Sequence, residues 1–202
     1  MMGLYRLLRF VWNHPLNANE RWAAIGRVVR WQLASRLMAG PIAFPFVEGA
    51  RLFAARGMTG ATGNWYCGLH ELSDMAFVLH LLRKDDHFLD VGSNIGSYSV
   101  LAAAGGGRVK AVEPIPETFE YLKHNLALNG FDEQVDARCL GLSDQVSSLR
   151  FTARMGCVNH VLAEGEQVAD AVEVPVTTMD ALVEADVPAL IKIDVEGHEL
   201  AV

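Results

Sequence analysis

Cysteine is scarce in this 202-residue chain, and the spacing of the few cysteines present excludes several kinds of site. Cys67, Cys139 and Cys157 form no Cys-x-x-Cys pair and no zinc-ligand pattern. A dithiol redox motif and a structural zinc site are therefore not indicated. A low, odd number of cysteines is typical of proteins in a reducing compartment, so we expect a cytoplasmic protein.

Long apolar runs are also absent. No stretch is long enough to cross a bilayer, and the N-terminus lacks the small-residue cleavage site of a secretory signal. The net charge of −7 argues against a nucleic-acid partner, because nucleic-acid binders usually present a basic face. A content of 51% hydrophobic and 20% charged residues is typical of a globular chain that buries one substantial core.

Positive charge is concentrated near the N-terminus. Residues 1–60 contain eight arginines and two glutamates, a net charge of +6, so the remaining residues carry −13. Helical spacing is predicted over Leu4–Met38, with a break around residues 13–19, and its second part combines arginines with Trp22, Ile25, Val28, Val29, Leu33 and Leu37. One interpretation is a cap packed on the acidic body. The other is an amphipathic surface that contacts the anionic inner face of a membrane.

The pattern of elements divides the chain at residue 63. Residues 1–63 are predicted to form a helical and hairpin extension, in which Pro41–Val47 pairs with Arg51–Ala55 and residues 57–63 form a loop. Residues 64–202 alternate between strands and helices. The predicted strands are Phe88–Val91, Arg108–Glu113, Val135–Leu142, Arg150–Arg154, Val172–Thr177 and Ala189–Asp194, and the helices are Leu72–Leu82, Ser97–Ala104, Glu117–Asn129 and Met179–Glu184. This alternation is typical of a doubly wound, Rossmann-like α/β sheet.

The segment Phe88–Ser99 runs from an apolar strand through a glycine turn into a helix of small residues. Such a turn lets the backbone approach a nucleotide-like ligand at a helix N-terminus. Asp90 would repel a pyrophosphate, and the spacing of Gly92 and Gly96 does not match Gly-x-Gly-x-x-Gly, so an NAD-dependent oxidoreductase is disfavoured. A carboxylate at this point suits a cationic ligand such as the sulfonium and ammonium of S-adenosylmethionine.

Polar residues lie at the end of each of the four main predicted strands. They are Asp90 at the first, Glu113 at the second, Ser143 and Asp144 at the third, and Asp194 and Glu196 at the fourth. Ligands of such sheets lie beyond the carboxyl ends of the strands, so these side chains are expected to surround one site. Glu113 lies about 20 residues after the glycine turn, where an acid can accept both hydroxyls of a ribose.

Three segments together resemble the FkbM-type methyltransferases. They are Phe88–Ser99, Val109–Pro114 and, most specifically, Ile191-Lys192-Ile193-Asp194-Val195-Glu196-Gly197-His198-Glu199. The resemblance covers about residues 64–202 and implies a class I methyltransferase sheet with S-adenosylmethionine as cofactor. It also implies methylation of a hydroxyl on a sugar, glycoconjugate or related natural product. The family's sheet has further strands beyond the fourth, so we expect that residues 64–202 hold an incomplete domain.

The resemblance also implies roles for individual residues. The methionine end of the cofactor would be held by Asp90, Gly92, Asn94 and Gly96 with the adjacent Ser93, the ribose by Glu113, and the adenine by Asp144 with the adjacent Ser143. Asp194 is the first candidate for orienting or deprotonating the acceptor hydroxyl, with Glu196 and His198 as second choices. His70 and Glu71 either close over the cofactor or form a polar helix start.

Two alternatives remain beside this hypothesis. Asp194 and Glu196 could hold a divalent metal, although two carboxylates supply too few ligands, and we predict no metal site. The chain could also be a module that binds the cofactor or docks on a membrane without catalysis. The sequence identifies neither the acceptor nor the oligomeric state.

Overall fold

Two helices and a hairpin form the N-terminal part of the computed structural model, which describes residues 3–152, 161–162 and 171–202. Helix α1 covers Leu4–Asn13, a 3-10 turn covers Pro15–Asn17, and helix α2 covers Arg21–Leu37. Strands β1 (Ile42–Pro45) and β2 (Arg51–Ala54) pair antiparallel, as the predicted hairpin requires. Pro15 at the start of the 3-10 turn separates α1 from α2, because proline cannot continue a helix.

The remaining chain builds two sheets. Its helices are α3 (Thr59–Cys67), α4 (Leu72–Leu81), α5 (Ser97–Ala104), α6 (Pro116–Asn129) and α7 (Met179–Val183), with a last 3-10 turn at Glu199–Ala201. Its strands are β3 (His87–Val91), β4 (Arg108–Val112), β5 (Val135–Arg138), β6 (Gly141–Leu142), β7 (Ser147–Thr152), β8 (Ala171–Thr177) and β9 (Leu190–Ile193).

The central sheet has the order β5-β4-β3-β9, and all of its pairs are parallel. The chain first moves outward from β3 to β4 and β5, through α5 and α6. It then returns to the other side of β3 with β9. A reversal of this kind opens a crevice beyond the carboxyl ends of the two strands on either side of it, here β3 and β9.

A second, smaller sheet lies between β5 and β9 in the sequence. Its order is β6-β8-β7, with β6 parallel and β7 antiparallel to β8. The predicted strand over 135–142 was therefore too long: residues 135–138 pair with β4, whereas residues 141–142 pair with β8. The predicted strand Arg150–Arg154 is β7, and its residues 153–154 lie outside the described residues.

The prediction of a loop over residues 57–63 is wrong, because Thr59–Cys67 is helix α3. Its threonines and glycines have low helix propensity, but tertiary contacts outweigh that preference. Tyr66 and Cys67 are buried, and the Tyr66 carbonyl at the helix C-terminus accepts hydrogen bonds from Arg27 at 2.9 Å and Asn17 at 3.3 Å. Sequence periodicity shows none of these contacts.

The N-terminal helices share a core with the sheet. One buried cluster contains Val11 of α1 and Val28 of α2 together with Phe88 of β3 and Leu101 of α5. Helix α3 also spans the position at which the sequence divides the chain, so the division at residue 63 falls inside a helix. The cap interpretation therefore describes the inner faces of α1 and α2. Among the described residues, no helix has the length and hydropathy of a membrane span.

Two adjacent valines in α2 provide a test of this packing. Val28 is 2% exposed, whereas Val29 is 51% exposed. We expect Val28→Ala to lower the free energy of unfolding by about 2 kcal/mol, since it removes buried methyl groups and leaves a cavity. Val29→Ala should change it by no more than about 0.5 kcal/mol, because alanine also has the higher helix propensity. Urea denaturation of both variants measures the difference, and equal effects would show that the inner face of α2 does not pack on the body.

Candidate functional site

The turn after β3 lies at the reversal of the sheet. Its backbone is tied to the neighbouring strand, since the N–H groups of Gly92 and Ser93 both donate to the Val112 carbonyl at 3.0 Å. Asn94 has a φ of +52°, and Gly96 begins helix α5 with a φ of +89°. The strand-to-helix turn expected from the sequence is therefore present, with its two glycines in left-handed backbone conformations.

The structure shows why glycine occupies positions 92 and 96, which could not be inferred from the sequence. A Cβ atom at Gly92 would overlap the backbone carbonyl oxygen of Asp194, at the end of β9. A Cβ atom at Gly96 would lie 2.5 Å from Cδ1 of Leu122 in α6. Contact with the backbone therefore requires glycine at position 92, and the left-handed conformation favours glycine at position 96, before any ligand is considered.

Asp90 on β3 is completely buried. Its Oδ2 accepts a hydrogen bond from the Ser99 hydroxyl at 2.6 Å, while its Oδ1 has no hydrogen-bond partner. The Lys192 ammonium lies 3.4 Å from that Oδ1, in an ion pair rather than a well-directed hydrogen bond. A buried carboxylate without a nearby cation is strongly unfavourable, so Lys192 sets the electrostatics of this position.

Lys192 is the main candidate site residue that was not predicted from the sequence. Its ammonium donates to the Gly92 carbonyl at 2.9 Å, lies 3.5 Å from Oδ2 of Asp194, and lies 5.4 Å from the ring centroid of Tyr98. A signal was available, because a lysine between isoleucines interrupts an otherwise apolar strand. In the parallel register it lies directly opposite Asp90.

Glu113 follows β4 and is buried. Its Oε2 accepts the Asn94 N–H at 2.9 Å, and its Oε1 accepts the Ile115 N–H at 3.0 Å. Burial raises the pKa of the Glu113 carboxyl from 4.5 to about 7, against the opposing effect of these two hydrogen bonds. The carboxyl group therefore titrates near neutral pH. Its two hydrogen bonds also connect the glycine turn, at Asn94, with the segment that follows β4, at Ile115.

A cleft of about 640 Å³, open to solvent, lies above β4 and the small sheet. Its walls are largely apolar, and its polar residues come from the strand ends; the lining includes Gly92, Asn94, Val112, Glu113, Ile115, Leu140, Leu142, Phe151, Asp194, Glu196 and His198. We call it the β4 cleft. An apolar slot with a few convergent polar groups is the usual form of a small-molecule site.

Ser143 links two other predicted residues, Asp144 and His198. The Ser143 hydroxyl lies 3.3 Å from Nε2 of His198 and 3.3 Å from Oδ1 of Asp144. His198 lines the cleft, whereas Ser143 and Asp144 are not among its described lining residues, and Asp144 is exposed. The contact of Asp144 with an adenine stays a prediction.

A second cleft, which we call the α4 cleft, lies on the other side of the glycine turn. Its volume is about 1880 Å³ including open solvent, and its lining includes Arg56, His70, Glu71, Ser93, Asn94, Tyr98, Lys192, Asp194 and Glu196. The Tyr98 hydroxyl donates to Oε2 of Glu71 at 2.7 Å. Burial and this hydrogen bond raise the pKa of Tyr98 above its usual range, so the phenol remains a donor.

Asp194 and Glu196 line both clefts, so they lie where the two meet. Asp194 is exposed, and Glu196 has a φ of +50°. Of the two clefts, His198 lines the β4 cleft and not the α4 cleft. Within the described ranges, no group of three or more His, Cys, Asp or Glu side chains has the arrangement of a metal site.

The ion pair between Asp90 and Lys192 has a matched control. Lys192→Met leaves the buried Asp90 carboxylate uncompensated and should lower the free energy of unfolding by about 3–5 kcal/mol. The control is Lys110 in β4, whose side chain is 18% exposed, compared with 19% for Lys192. Lys110 pairs with Asp186, which is exposed. Lys110→Met should therefore cost only about 1 kcal/mol.

The double variant Asp90→Asn/Lys192→Met should recover much of the lost stability, because it removes both charges. Chemical denaturation of Asp90→Asn, Lys192→Met and the double variant completes the cycle, with Lys110→Met measured as the control. A cost for Lys192→Met no greater than that for Lys110→Met would show that Asp90 does not depend on this lysine.

Comparison with known proteins agrees with this geometry. The family model described as the methyltransferase FkbM domain matches residues 90–202, which is more than half of the chain. The hexuronic acid methyltransferase AglP of Haloferax volcanii is 29% identical over 188 residues, which cover 88% of this chain and 75% of that protein. A probable cobalt-precorrin-6B C(15)-methyltransferase (decarboxylating) of Halobacterium salinarum is 42% identical over 57 residues, which cover 28% of this chain and 30% of that protein.

Among solved structures, the methyltransferase FkbM from Methylobacillus flagellatus KT aligns with a TM-score of 0.41 at 16% identity. The alignment covers 87% of this chain and 44% of that chain. The present chain thus spans less than half of that structure and under a third of the cobalt-precorrin relative. Its sheet order, its glycine turn and the match over residues 90–202 lead to one conclusion. The chain has a Rossmann-like class I methyltransferase fold and belongs to the methyltransferase FkbM domain family.

Proposed function

We propose that the protein binds S-adenosylmethionine in the β4 cleft and transfers its methyl group to a hydroxyl of a sugar or glycoconjugate in the α4 cleft. The observation that carries this proposal is the junction of the two clefts at Asp194 and Glu196, beside the glycine turn. Family membership supports methyl transfer, and the similarity to the hexuronic acid methyltransferase AglP supports a sugar acceptor.

The residues of the β4 cleft fit the nucleoside part of this cofactor. Each Glu113 oxygen uses one lone pair on a backbone N–H and keeps another for a ribose hydroxyl. Val112, Ile115 and Leu142 offer apolar surface for the flat face of a base. Burial of Glu113 between such walls strengthens any hydrogen bond that its carboxylate accepts.

The cationic part of the cofactor meets a different balance of charge from the one expected. Lys192 already neutralises Asp90, so Asp90 alone does not provide a free negative charge. The α4 cleft is lined by four carboxylates, from Glu71, Glu117, Asp194 and Glu196, and by two cations, Lys192 and Arg56, which leaves an excess of negative charge in this lining. This excess suits a sulfonium and an ammonium, and the proposed role of Asp90 becomes that of holding Lys192 in place.

The cofactor supplies a methyl group that is already activated by the sulfonium charge. The protein then has to align the acceptor and to remove its proton. Asp194 is the candidate base: its exposed carboxylate lies at the junction and can take the hydroxyl proton on an Oδ atom. His198 lies in the β4 cleft with Ser143, and we assign it to the cofactor side.

The α4 cleft offers the mixture of groups that a polyol requires. Glu71 is an acceptor, Tyr98 is a donor bonded to it, and Arg56 lies in the same lining. Burial lowers the pKa of His70, so its ring is neutral near neutral pH. Dense, fixed donors and acceptors recognise sugar hydroxyls and penalise an acceptor that lacks them.

Cofactor binding should depend on pH through Glu113. Its pKa of about 7 means that the carboxyl loses its proton as the pH rises through neutrality. If the ionised form accepts the ribose hydroxyls, the dissociation constant for S-adenosylmethionine should rise about tenfold between about pH 8 and about pH 6. Glu113→Gln should bind the cofactor more weakly and lose this pH dependence. The control Glu120→Gln, at an exposed position, should keep the affinity and the pH dependence of the wild type.

Isothermal calorimetry over this pH range measures the effect, with NAD titrated in parallel. Heat from NAD with none from S-adenosylmethionine would contradict the assignment of the cofactor. A pH dependence that survives in Glu113→Gln would place the titrating group elsewhere.

The proposed role of Asp194 as the base predicts that its substitution lowers turnover without weakening cofactor binding. Asp194→Asn should lower methyl transfer by about a hundredfold or more, because it removes the base, while cofactor affinity stays within about threefold. Asp186→Asn is the matched control, since Asp186 and Asp194 are 60% and 61% exposed and each lies beside a lysine. Transfer of labelled methyl groups to a panel of hexoses and hexuronic acids measures turnover.

Full activity of Asp194→Asn would exclude it as the base, and loss of cofactor affinity with an intact fold would place it in the cofactor site. Cofactor binding by the wild type without transfer to any acceptor would favour a non-catalytic module. Activity lost to a chelator and restored by magnesium would indicate metal-assisted transfer instead.

A further inference from the structure

Helix α2 carries apolar residues on two opposite faces. Its inner face buries Ala24, Val28 and Trp31 against the body. The sequence pattern grouped Val28 with Trp22, Val29, Leu33 and Leu37 by helical spacing alone, and the structure divides this group between the two faces. Trp22, Val29, Leu33 and Leu37 are all exposed, and the exposed fraction is largest for Trp22 at 78% and Leu37 at 83%.

The exposed residues lie in one row along α2. Spacings of seven, four and four residues place Trp22, Val29, Leu33 and Leu37 on the same side of a helix. The Trp12 ring of α1 packs edge-on against Trp22 at the N-terminal end of the row, with 5.0 Å between centroids. Single exposed hydrophobic residues are ordinary, but a continuous row indicates an interaction surface.

Arginines border this row. Helical geometry places Arg30 and Arg36 on its two sides, and the Arg21 guanidinium lies 5.5 Å from the Trp12 ring centroid. Where the structure describes α1 and α2, the arginine found in an ion pair is Arg27, with Glu20. The positive charge around the row is therefore available to an external partner.

We propose that the outer face of α2 binds the surface of a bilayer that contains anionic phospholipids. Leucine, valine and tryptophan side chains would enter the boundary between headgroups and acyl chains, while the flanking arginines would contact lipid phosphates. The charge distribution sets the orientation, because the remainder of the chain carries −13 and is repelled by such a surface. This inference does not depend on the methyl-transfer proposal, since none of these residues lines either cleft.

Flotation with vesicles tests the proposal. One set contains phosphatidylcholine alone, and the other contains about one third phosphatidylglycerol. The wild type should float with the anionic vesicles only, and high salt should release it, since the Debye length falls from about 8 Å at physiological ionic strength to about 3 Å at 1 M. Arg30→Gln/Arg36→Gln should lower the partition coefficient about 30-fold, because each arginine near such a surface contributes about 1 kcal/mol.

Removing the apolar row should have a comparable effect. Leu33→Gln/Leu37→Gln keeps the helix propensity and should weaken partitioning by about tenfold or more. The matched controls, Val146→Gln/Val187→Gln and Arg108→Gln/Lys123→Gln, remove exposed apolar or basic side chains elsewhere and should bind like the wild type. Circular dichroism confirms that each variant is folded.

Three outcomes would overturn the proposal. They are equal recovery with neutral and anionic vesicles, binding that the α2 variants do not weaken more than their controls, and absence of binding. Light scattering identifies the occupant in the last case. A wild-type dimer that Leu33→Gln/Leu37→Gln converts to a monomer, without vesicle binding, would assign the row to self-association.

Discussion

The pairing of one buried carboxylate with one lysine determines the geometry around the reversal of the sheet. Asp90 is fully enclosed on β3, and the parallel register places Lys192 of β9 directly opposite it. A slip of β9 by one residue would bring an isoleucine opposite Asp90 and turn the lysine to the other face. The ion pair therefore fixes the register in which β9 can join the sheet. That register in turn places the Asp194 carbonyl against Gly92 and sets Asp194 where the two clefts meet.

The N-terminal extension builds one wall of the site as well as covering the core. Arg27 and Asn17 hold the C-terminal end of α3 through the Tyr66 carbonyl. From within the same helix, the Asn64 side chain accepts the His70 N–H at 2.8 Å. These contacts start at Arg27 in α2 and end at the segment that leads to Glu71. Helix α2 thus helps to position His70 and Glu71, which line the α4 cleft.

Strongly periodic features were predictable from the sequence, whereas features that depend on distant contacts were not. The strand before the glycine turn, the helix ended by Gly130 and the acids at strand ends followed from local patterns, and each was found near its expected place. Helix α3 escaped prediction because tertiary contacts, with Arg27 of α2 and with Asn17, stabilise it against the low helix propensity of its own residues. Lys192 was quoted only as part of a motif, because its meaning depends on which residue lies opposite it. The split of residues 135–142 depends likewise on a second sheet that local pattern cannot show.

The position of β9 also bears on how the chain folds. Strands β3, β4 and β5 with their helices form a unit of short sequence separation, and loop closure within it is inexpensive. The Lys192 ammonium and the Gly92 carbonyl that it binds are 100 residues apart along the chain. Contacts of such separation slow folding, because chain entropy is lost before the contacts compensate for it. The Asp90 carboxylate would then remain hydrated until β9 docks, so the site would be completed only in this late step.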